Sequence, residues 1–362
     1  MMKRESILVI SYVPPYNRQG YDLASCLQAV GYKVCLLQMD GVSDFAQGTV
    51  GVKCYKPHGI FHKLIMALNF MKFAVYSLFR RKQVIVCVGK PMLLLGGIYN
   101  LLFGSKLVWY SLEYGKLGRV SKFVYNHCVS GYIDVEENRM RAIFNEYGEK
   151  KIALVCHNMP TLHSDAIKGG KLREYLSKAH PDLIDKKIVI YAGSYQGYAC
   201  LDLIIDASKD FKEDMRLIVM AYGLPQELQN LSSKCIFVPP VRGDEFYDWL
   251  ADANCALLPY EDACDFNVKN CSPQKLFDCY VVGVPYVASD RPIINKIIAK
   301  FPDAGVTCNF ADKVEILKKI EAMIKLKPDV HDKMYALHLK ELNYDKLAVE
   351  IADFVDSLPN DQ

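Results

Sequence analysis

Short apolar runs recur along this chain, and the segments between them carry apolar residues at the spacing of one helix face. Residues 7–12, 34–38 and 84–88 are such runs in the first half of the sequence. Strands that alternate with helices form a parallel sheet covered by helices on both faces, and the strands of such a sheet are apolar throughout. The sequence therefore predicts an α/β fold built on doubly wound parallel sheets.

A polar stretch divides this pattern into two halves. Residues 161–187 are rich in Lys, Gly, Asp and His, and the alternation restarts with the apolar run 188–192. The chain has 362 residues, of which 51% are apolar, whereas a single domain usually has roughly 100–200 residues. We therefore predict two Rossmann-like domains, over residues 1–165 and 166–338, which face each other across a cleft. Residues 339–362 are predicted to form a helix that packs back on the first domain.

Cysteine usage and apolar segments indicate a cytoplasmic protein. The 13 cysteines are scattered and form no C-x-x-C pair, which is typical of reduced thiols in the cytosol. The first residues lead straight into a short apolar run, without the longer apolar core of a secretory signal. The longest apolar segments, 64–79 and 92–103, fall short of the roughly 20 apolar residues that a membrane span requires.

Basic residues are concentrated in the first part of the chain. Up to Ser130 the sequence has 16 Lys and Arg residues against five Asp and Glu, and the remainder has 28 against 36. The helix predicted over residues 61–82 combines apolar residues with Lys63, Lys72 and the basic cluster 80–82. Such a cationic, apolar helix is typical of peripheral contact with an anionic membrane, and we expect no nucleic-acid partner. A core helix with a solvated end is the alternative, because the apolar residues nearly encircle it.

The most informative segment covers residues 270–285, with the sequence N-C-S-P-Q-K-L-F-D-C-Y-V-V-G-V-P. Ser272 as N-cap and Pro273 as first helical residue predict a helix start, where free N–H groups and the positive dipole end can bind phosphate. Lys275 adds a positive charge one turn in. Asp278 lies three residues later on the same helical face, where it can accept hydrogen bonds from ribose hydroxyls. An ordinary capped helix with a surface Lys–Asp pair has the same spacing.

This segment resembles the S-P-x-K-L-F-E-Y run, followed by G-x-P-V, of a branch of glycosyltransferase family 4. That is a retaining family with the two-domain GT-B fold, and its members take a sugar from a nucleotide-diphosphate donor. The resemblance covers most of the chain and is strongest over residues 192–290. It implies that the helix start formed by Ser272, Pro273 and Gln274 holds the donor diphosphate together with Lys275.

The family has two glutamates in this region, the later one on the donor ribose and the earlier one near the transferred sugar. By position they match Asp278 and Asn270. Asp278 keeps the carboxylate on a shorter side chain, whereas Asn270 carries no charge. The resemblance therefore implies ribose binding by Asp278, and it places Asn270 at a catalytic position that departs from the family pattern.

Two further segments match the second half of the family. Residues 191–197, Y-A-G-S-Y-Q-G, resemble the strand and glycine loop beside the donor phosphates, where Gly193 permits close backbone approach and Ser194 follows it. Many members carry an Arg and a Lys just after this strand. This chain has Ser194 and Tyr198 there, which leaves more of the phosphate charge to Lys275. The V-P-P-V-R loop at 238–242 lies by the base in the family, so Arg242 is expected to contact the base, with a solvated surface Arg as the alternative.

The first half contributes two candidates. Gly20 follows a loop and begins a predicted helix, where the family places small residues against the donor phosphate or the acceptor and where N–H groups are free. A plain connecting loop is the alternative. Glu113 follows the apolar run 107–110 and therefore lies at the carboxyl end of a predicted strand. Relatives often have a His near this place, and the run Y-S-L-E resembles one in capsule and surface-polysaccharide transferases. The resemblance implies that Glu113 orients a sugar hydroxyl or the acceptor.

The resemblance as a whole implies a hexosyltransferase-type glycosyltransferase. It would move a sugar from a nucleotide-diphosphate sugar to a glycan or lipid-linked acceptor, with retention, in the synthesis of bacterial surface polysaccharide such as capsule or lipopolysaccharide. Glu113, Asn270 and Lys275 are the catalytic candidates. The sequence contains no D-x-D motif, and GT-B enzymes stabilise the leaving diphosphate with helix dipoles and basic side chains, so we expect no metal or other cofactor. We expect the protein in the cytoplasm, at the inner face of the cell membrane.

Other functions remain open at the level of the sequence. A GT-B-like protein without turnover could serve as a binding or scaffold subunit in a polysaccharide assembly complex, and the uncharged Asn270 favours that alternative. A nucleotide-sugar epimerase is a third hypothesis. A nicotinamide enzyme is disfavoured, because neither first-strand loop contains G-x-G-x-x-G.

Overall fold

The computed structural model describes residues 6–11, 19–39, 49–52, 62–80, 82–150, 152–160, 167–195, 197–241, 243–261, 265–326 and 328–359. The chain divides into two compact units. Unit 1 comprises Met1–Asn158 and Tyr344–Gln362, and unit 2 comprises Met159–Asn343. The chain thus enters unit 2 earlier than the predicted boundary at residue 165, and the segment that rejoins unit 1 begins at Tyr344 rather than at residue 339.

Each unit contains one parallel sheet. The described strands of unit 1 are β1 (Ser6–Ser11), β2 (Lys33–Met39), β3 (Thr49–Val52), β4 (Val84–Val88), β5 (Lys106–Ser111), β6 (Val129–Asp134) and β7 (Ala153–Val155). They lie in the order β3-β2-β1-β4-β5-β6-β7. The described strands of unit 2 are β8 (Lys187–Ser194), β9 (Met215–Tyr222), β10 (Cys235–Val238), β11 (Cys255–Leu258), β12 (Tyr286–Ala288) and β13 (Gly305–Thr307). Their order is β10-β9-β8-β11-β12-β13.

Helices connect the strands in both units. The described helices of unit 1 are α1 (Gln19–Ala29), α2 (His62–Leu78), α3 (Lys90–Phe103), α4 (Arg119–Cys128) and α5 (Glu137–Tyr147). Those of unit 2 are α6 (Lys171–Ala179), α7 (Leu201–Ser208), α8 (Glu245–Leu250), α9 (Phe266–Lys269), α10 (Gln274–Val282), α11 (Pro292–Lys300), α12 (Lys313–Ile324) and α13 (Pro328–Glu341). The last helix, α14 (Tyr344–Asp356), belongs to unit 1. No helix within the described ranges is long and apolar enough to cross a membrane.

The core of unit 1 shows why its strands are apolar throughout. All five residues of β4 are buried, because helices cover both faces of the sheet. On one face, α2, α3, α4 and α5 share a single core, to which Phe73, Tyr99, Tyr125 and Ile143 each contribute a fully buried side chain. The helix α14 packs against α1, and the Tyr32 hydroxyl, just after α1, donates to the Ala352 carbonyl of α14 at 3.2 Å.

Both sheets reverse their strand order at one place, where a gap opens at the carboxyl ends of the strands. In unit 1 the reversal lies between β1 and β4, and in unit 2 it lies between β8 and β11. Within each pair, the connection that follows one strand runs to one side and the connection that follows the other strand runs to the opposite side. The two loops therefore diverge. The reversal in unit 2 is where the candidate site lies.

Several elements differ from the sequence expectations. The stretch 161–187 was predicted as a polar connection, but it contains α6, of which only Leu172 and Leu176 are buried. A helix that buries two side chains leaves a weak apolar pattern in the sequence. The helices α4, α5 and α11 and the strand β13 were also not predicted. The helices α4, α5 and α11 each bury only three or four side chains, and β13 has only three residues, so their apolar patterns are too short to stand out in the sequence.

Candidate functional site

The start of α10 is the structural centre of the candidate site. Pro273 has φ −72° and ψ 123°, which is extended backbone, so it is the N-cap and Gln274 is the first helical residue. The prediction of Ser272 as N-cap and Pro273 as first helical residue is therefore wrong by one position, since the proline continues the extended approach. Ser272 is buried just before the cap. The helix start still presents the N–H groups of its first turn, although the Leu276 N–H donates to the Pro273 carbonyl at 3.0 Å.

Lys275 reaches from α10 across to the end of β8. Its Nζ lies 4.3 Å from the centre of the Tyr191 ring and donates to the Tyr191 hydroxyl at 3.2 Å. That hydroxyl in turn donates to the Ser194 carbonyl at 2.8 Å. Burial lowers the pKa of Lys275 to about 8, while the nearby Cys271 and Asp278 act in the opposite direction. The site therefore holds a poorly solvated cation, which gains from any anion that binds beside it.

Gly193 makes this position of Lys275 feasible. A Cβ atom at Gly193 would lie 2.4 Å from Cε and 2.6 Å from Nζ of Lys275, and the residue has a φ of +152° that side-chain-bearing residues rarely adopt. The sequence suggested that Gly193 lets the backbone approach phosphates. The structure shows that it also leaves the space in which the lysine ammonium group lies.

Asp278 lies one turn after Lys275 and is buried. Its Oδ1 accepts a hydrogen bond of 2.9 Å from the hydroxyl of Tyr247 on α8. Both α10 side chains line a shallow recess, whose other lining residues come from β8, α8, β11 and α10: Ile190, Ala192, Phe246, Leu250, Ala256, Leu257, Leu258 and Cys279. A cation and an oriented carboxylate thus share one mainly apolar recess. The name α10 site is used below for Tyr191, Gly193, Tyr247, Lys275 and Asp278.

Asn270 has a local structural contact. It ends α9, and its side-chain Nδ2 donates to the Phe266 carbonyl at 3.0 Å. The residue is buried. The amide therefore stabilises the end of the short helix that precedes α10, at the position where the resembled family has a carboxylate.

A stack of three side chains, which the sequence reasoning missed, borders the α10 site. The rings of Tyr198 and Tyr260 stack with their centres 6.2 Å apart and an angle of 20° between them. The guanidinium carbon of the buried Arg291 lies 5.7 Å from the centre of the Tyr260 ring, and this arginine donates to the Glu261 carbonyl at 2.8 Å. The stack joins the loops after β8, β11 and β12. Contacts between loops so far apart in the sequence leave no local signal by which they could have been found.

The remaining predicted residues lie as follows. Ser194 is exposed at the end of β8. Arg242 lies outside the described residues. Gly20 and Glu113 belong to unit 1: Gly20 is buried in the first turn of α1, where a Cβ would lie 2.9 Å from the Ser11 Oγ, and Glu113 is exposed in the loop after β5. Within the described part of the chain, no group of three or more His, Cys, Asp or Glu side chains could hold a metal ion.

No family model and no curated protein sequence matches this chain. Solved structures match it over nearly its whole length. A glycosyltransferase from Rickettsia africae is similar with a TM-score of 0.73 at 10% identity, covering 99% of both chains. HepE from Anabaena, in complex with UDP and glucose, has a TM-score of 0.70 at 15% identity, covering 98% of this chain and all of its own. Sucrose-phosphate synthase from Thermosynechococcus elongatus has a TM-score of 0.70 at 14% identity, covering 98% and 99%. This likeness confirms the predicted fold, two Rossmann-like domains of the GT-B kind.

Proposed function

We propose that this protein is a glycosyltransferase that binds a nucleotide-diphosphate sugar at the α10 site. The observation that carries the proposal is the position of the Lys275 ammonium group, at the start of a helix and beside the glycine at the end of β8, with the Asp278 carboxylate one turn further. Three structurally similar proteins support it. The Rickettsia africae protein is a glycosyltransferase by name, the Thermosynechococcus elongatus protein is a sucrose-phosphate synthase, and HepE was solved with UDP and glucose.

The proposed mechanism follows from the charges of the site. The donor diphosphate lies at the start of α10, where the N–H groups of Gln274 and Lys275 and the Lys275 ammonium group stabilise the negative charge that develops as the glycosidic bond breaks. Asp278, oriented by Tyr247, accepts hydrogen bonds from the ribose hydroxyls. Because the ammonium group and the helix dipole supply the positive charge, we propose a reaction that needs no metal or other cofactor.

Finer features of the proposal come from the resemblance to family 4 in the sequence. They are retention at the anomeric carbon, Glu113 as the residue that orients the acceptor, and a role in bacterial surface polysaccharide synthesis. The acceptor is a glycan or a lipid-linked molecule, reached at the cytoplasmic face of the membrane through the basic segment 61–82. UDP is the first nucleotide to test, because it is the one with which HepE was solved.

A binding or scaffold protein without turnover is the second candidate function. The hydrogen bond from Asn270 to the Phe266 carbonyl favours it, because the amide at this position serves the end of α9. Such a protein would keep the cation and the carboxylate of the α10 site, and it would bind a nucleotide sugar without releasing the nucleotide.

The test is binding and turnover of UDP-, GDP- and other nucleotide sugars by the purified protein, measured by calorimetry and by nucleotide release. Lys275→Ala removes a charge-assisted contact and is expected to weaken donor binding about 10- to 100-fold. Lys318→Ala is the matched control, because Lys318 is an exposed lysine of the same unit. Selective binding with release, lost in Lys275→Ala alone, supports the transferase. Binding without release, with every acceptor tried, supports the scaffold, and conversion of the sugar without release indicates an epimerase.

A further inference from the structure

A long basic segment of unit 1 contains almost no acidic residues. Between Asp44 and Asp134 the sequence contains a single acidic residue, Glu113. The basic residues in the same interval are Lys53, Lys56, Lys63, Lys72, Arg80, Arg81, Lys82, Lys90, Lys106, Lys116, Arg119 and Lys122. Solvated helices usually carry both signs of charge, interspersed. A segment of this length whose charged residues are almost all positive generates a field that attracts an anionic partner.

The fold places three helices of this segment side by side. The helices α2, α3 and α4 lie on the same face of the sheet and share one core. The helices α3 and α4 are in direct contact, since a Cβ at Gly97 of α3 would lie 2.7 Å from the Val124 side chain of α4. Burial raises the pKa of Tyr99 on α3, and Ser77 and Arg80, at the end of α2, lie close enough to oppose that rise. The outer sides of the three helices therefore form one surface.

The outer sides of these helices are apolar. In α2, Leu64, Leu68, Met71 and Val75 recur at helical spacing, so they form one solvent-facing stripe that Phe79 extends just beyond the helix. Phe79 is 84% exposed and Leu101 is 67% exposed. Among the described side chains of the three helices and their ends, the exposed large apolar ones are Leu64, Leu68, Met71, Val75, Tyr76, Leu78, Phe79, Ile98, Leu101, Leu102, Val120 and Phe123. Monomeric soluble proteins rarely expose so many apolar side chains on one surface, and such patches mark interaction sites.

We propose that this surface, the outer sides of α2, α3 and α4, docks on an anionic lipid membrane. Apolar side chains enter the boundary between headgroups and acyl chains, while the exposed Lys116, Arg119 and Lys122 beside them pair with lipid phosphates. A second copy of this chain fits less well, because a symmetric contact would bring the same positive charges together. Nucleic acid fits less well, because its phosphate backbone offers nothing to cover the apolar stripe.

The proposal deepens the membrane contact of the proposed function. It rests on that function only for the lipid-linked acceptor, which would be the reason for the contact. It extends the contact from the basic helix predicted in the sequence to α3 and α4. Because the surface lies in unit 1 and the α10 site in unit 2, membrane binding and nucleotide release can fail independently of each other.

The test is flotation of the full chain with vesicles of phosphatidylcholine alone and of phosphatidylcholine with roughly one third phosphatidylglycerol. We expect binding to the anionic vesicles and little to the neutral ones. A Leu101→Ser/Val120→Ser variant removes apolar contacts of α3 and α4 and is expected to lower binding at least about ten-fold. An Arg119→Glu/Lys122→Glu variant is expected to lower it at least about 25-fold, because each cation near an anionic surface contributes about five-fold.

Val349→Ser is the matched control for the apolar variant. Val349 is 61% exposed on α14, also in unit 1, and its replacement should leave vesicle binding unchanged. All these side chains are exposed, so thermal unfolding should stay close to that of the unchanged protein.

Equal loss in the Val349→Ser variant would overturn the proposal, as would full binding by both α3–α4 variants. Absence of vesicle binding, with a dimer in sedimentation that Leu101→Ser/Val120→Ser abolishes, would replace it with a contact between copies. Nucleotide release without membranes should be the same in all variants.

Discussion

Donor affinity is expected to fall as the pH rises from 7 to 9, because the cation of the α10 site loses its proton in this interval. Burial lowers the pKa of Lys275 in the free protein to about 8. A bound diphosphate would stabilise the ammonium form and raise that pKa. The bound state thus holds a proton that the free state releases, and affinity must decrease with pH between the two pKa values.

The magnitude follows from the fraction of protonated lysine. With a pKa of about 8, roughly 90% of the free protein carries the ammonium group at pH 7 and roughly 10% at pH 9. If the donor binds only the protonated form, the association constant falls about ten-fold over these two pH units. A lysine with an ordinary pKa would produce almost no change in the same range.

Calorimetric titration with an intact nucleotide sugar measures this effect, since its diphosphate keeps the same charge throughout. The heat should also depend on the ionisation enthalpy of the buffer at pH 8 to 9, because binding takes up a proton there. Lys275→Met is the control: it should bind more weakly at pH 7, and any remaining pH dependence belongs to other groups, such as the base of the nucleotide. Equal slopes in the two proteins would refute a role for the charge of Lys275.

Three further predictions concern the same residues. Lys275→Met should stabilise the donor-free protein at pH 7 by up to about 3 kcal/mol, because the pKa of this lysine is lower in the folded than in the unfolded chain. The lysine therefore destabilises the folded protein below pH 8, and this effect disappears as the pH approaches 10.5. Urea unfolding measures the difference, and unchanged stability would contradict it. Gly193→Ala should weaken donor binding at least about ten-fold and cost about 1–3 kcal/mol of stability, whereas Gly197→Ala, which meets no atom within 4 Å, should do neither. Tyr247→Phe removes the donor to the buried Asp278 and should cost about 1–3 kcal/mol of stability in the same urea experiment; wild-type stability would show that the bond contributes nothing.

The sequence predicted those strands of the fold that are buried on both faces. β4, β11 and β12 begin and end where the apolar runs begin and end, because burial on both faces requires every side chain to be apolar. The helices α4 and α6 were missed for the opposite reason. Each buries few side chains, so that polar and charged residues interrupt its apolar residues.

The candidate site was predictable only where its residues share one helix. The spacing of Lys275 and Asp278 on α10 can be read from the sequence, because helical periodicity fixes it. The partners of these residues cannot. Tyr191 meets Lys275, and Tyr247 meets Asp278, because the sheet order places β8 beside β11 and α8 packs against α10. Such pairings depend on tertiary packing, which leaves no local signal.

The two cationic features of this molecule differ physically, and solution conditions can therefore separate them. The cation of the α10 site is one poorly solvated ammonium group with a pKa of about 8, so its contribution responds strongly to pH and weakly to salt. The cations beside α2, α3 and α4 are many, and Lys116, Arg119 and Lys122 are exposed, so their attraction to anionic lipid is screened by salt. Raising the salt concentration from 0.1 M to about 0.5 M should therefore release the protein from anionic vesicles while donor binding persists. Raising the pH to 9 should do the reverse. If both activities instead declined together under both changes, one shared surface would have to serve both, contrary to their placement in separate units.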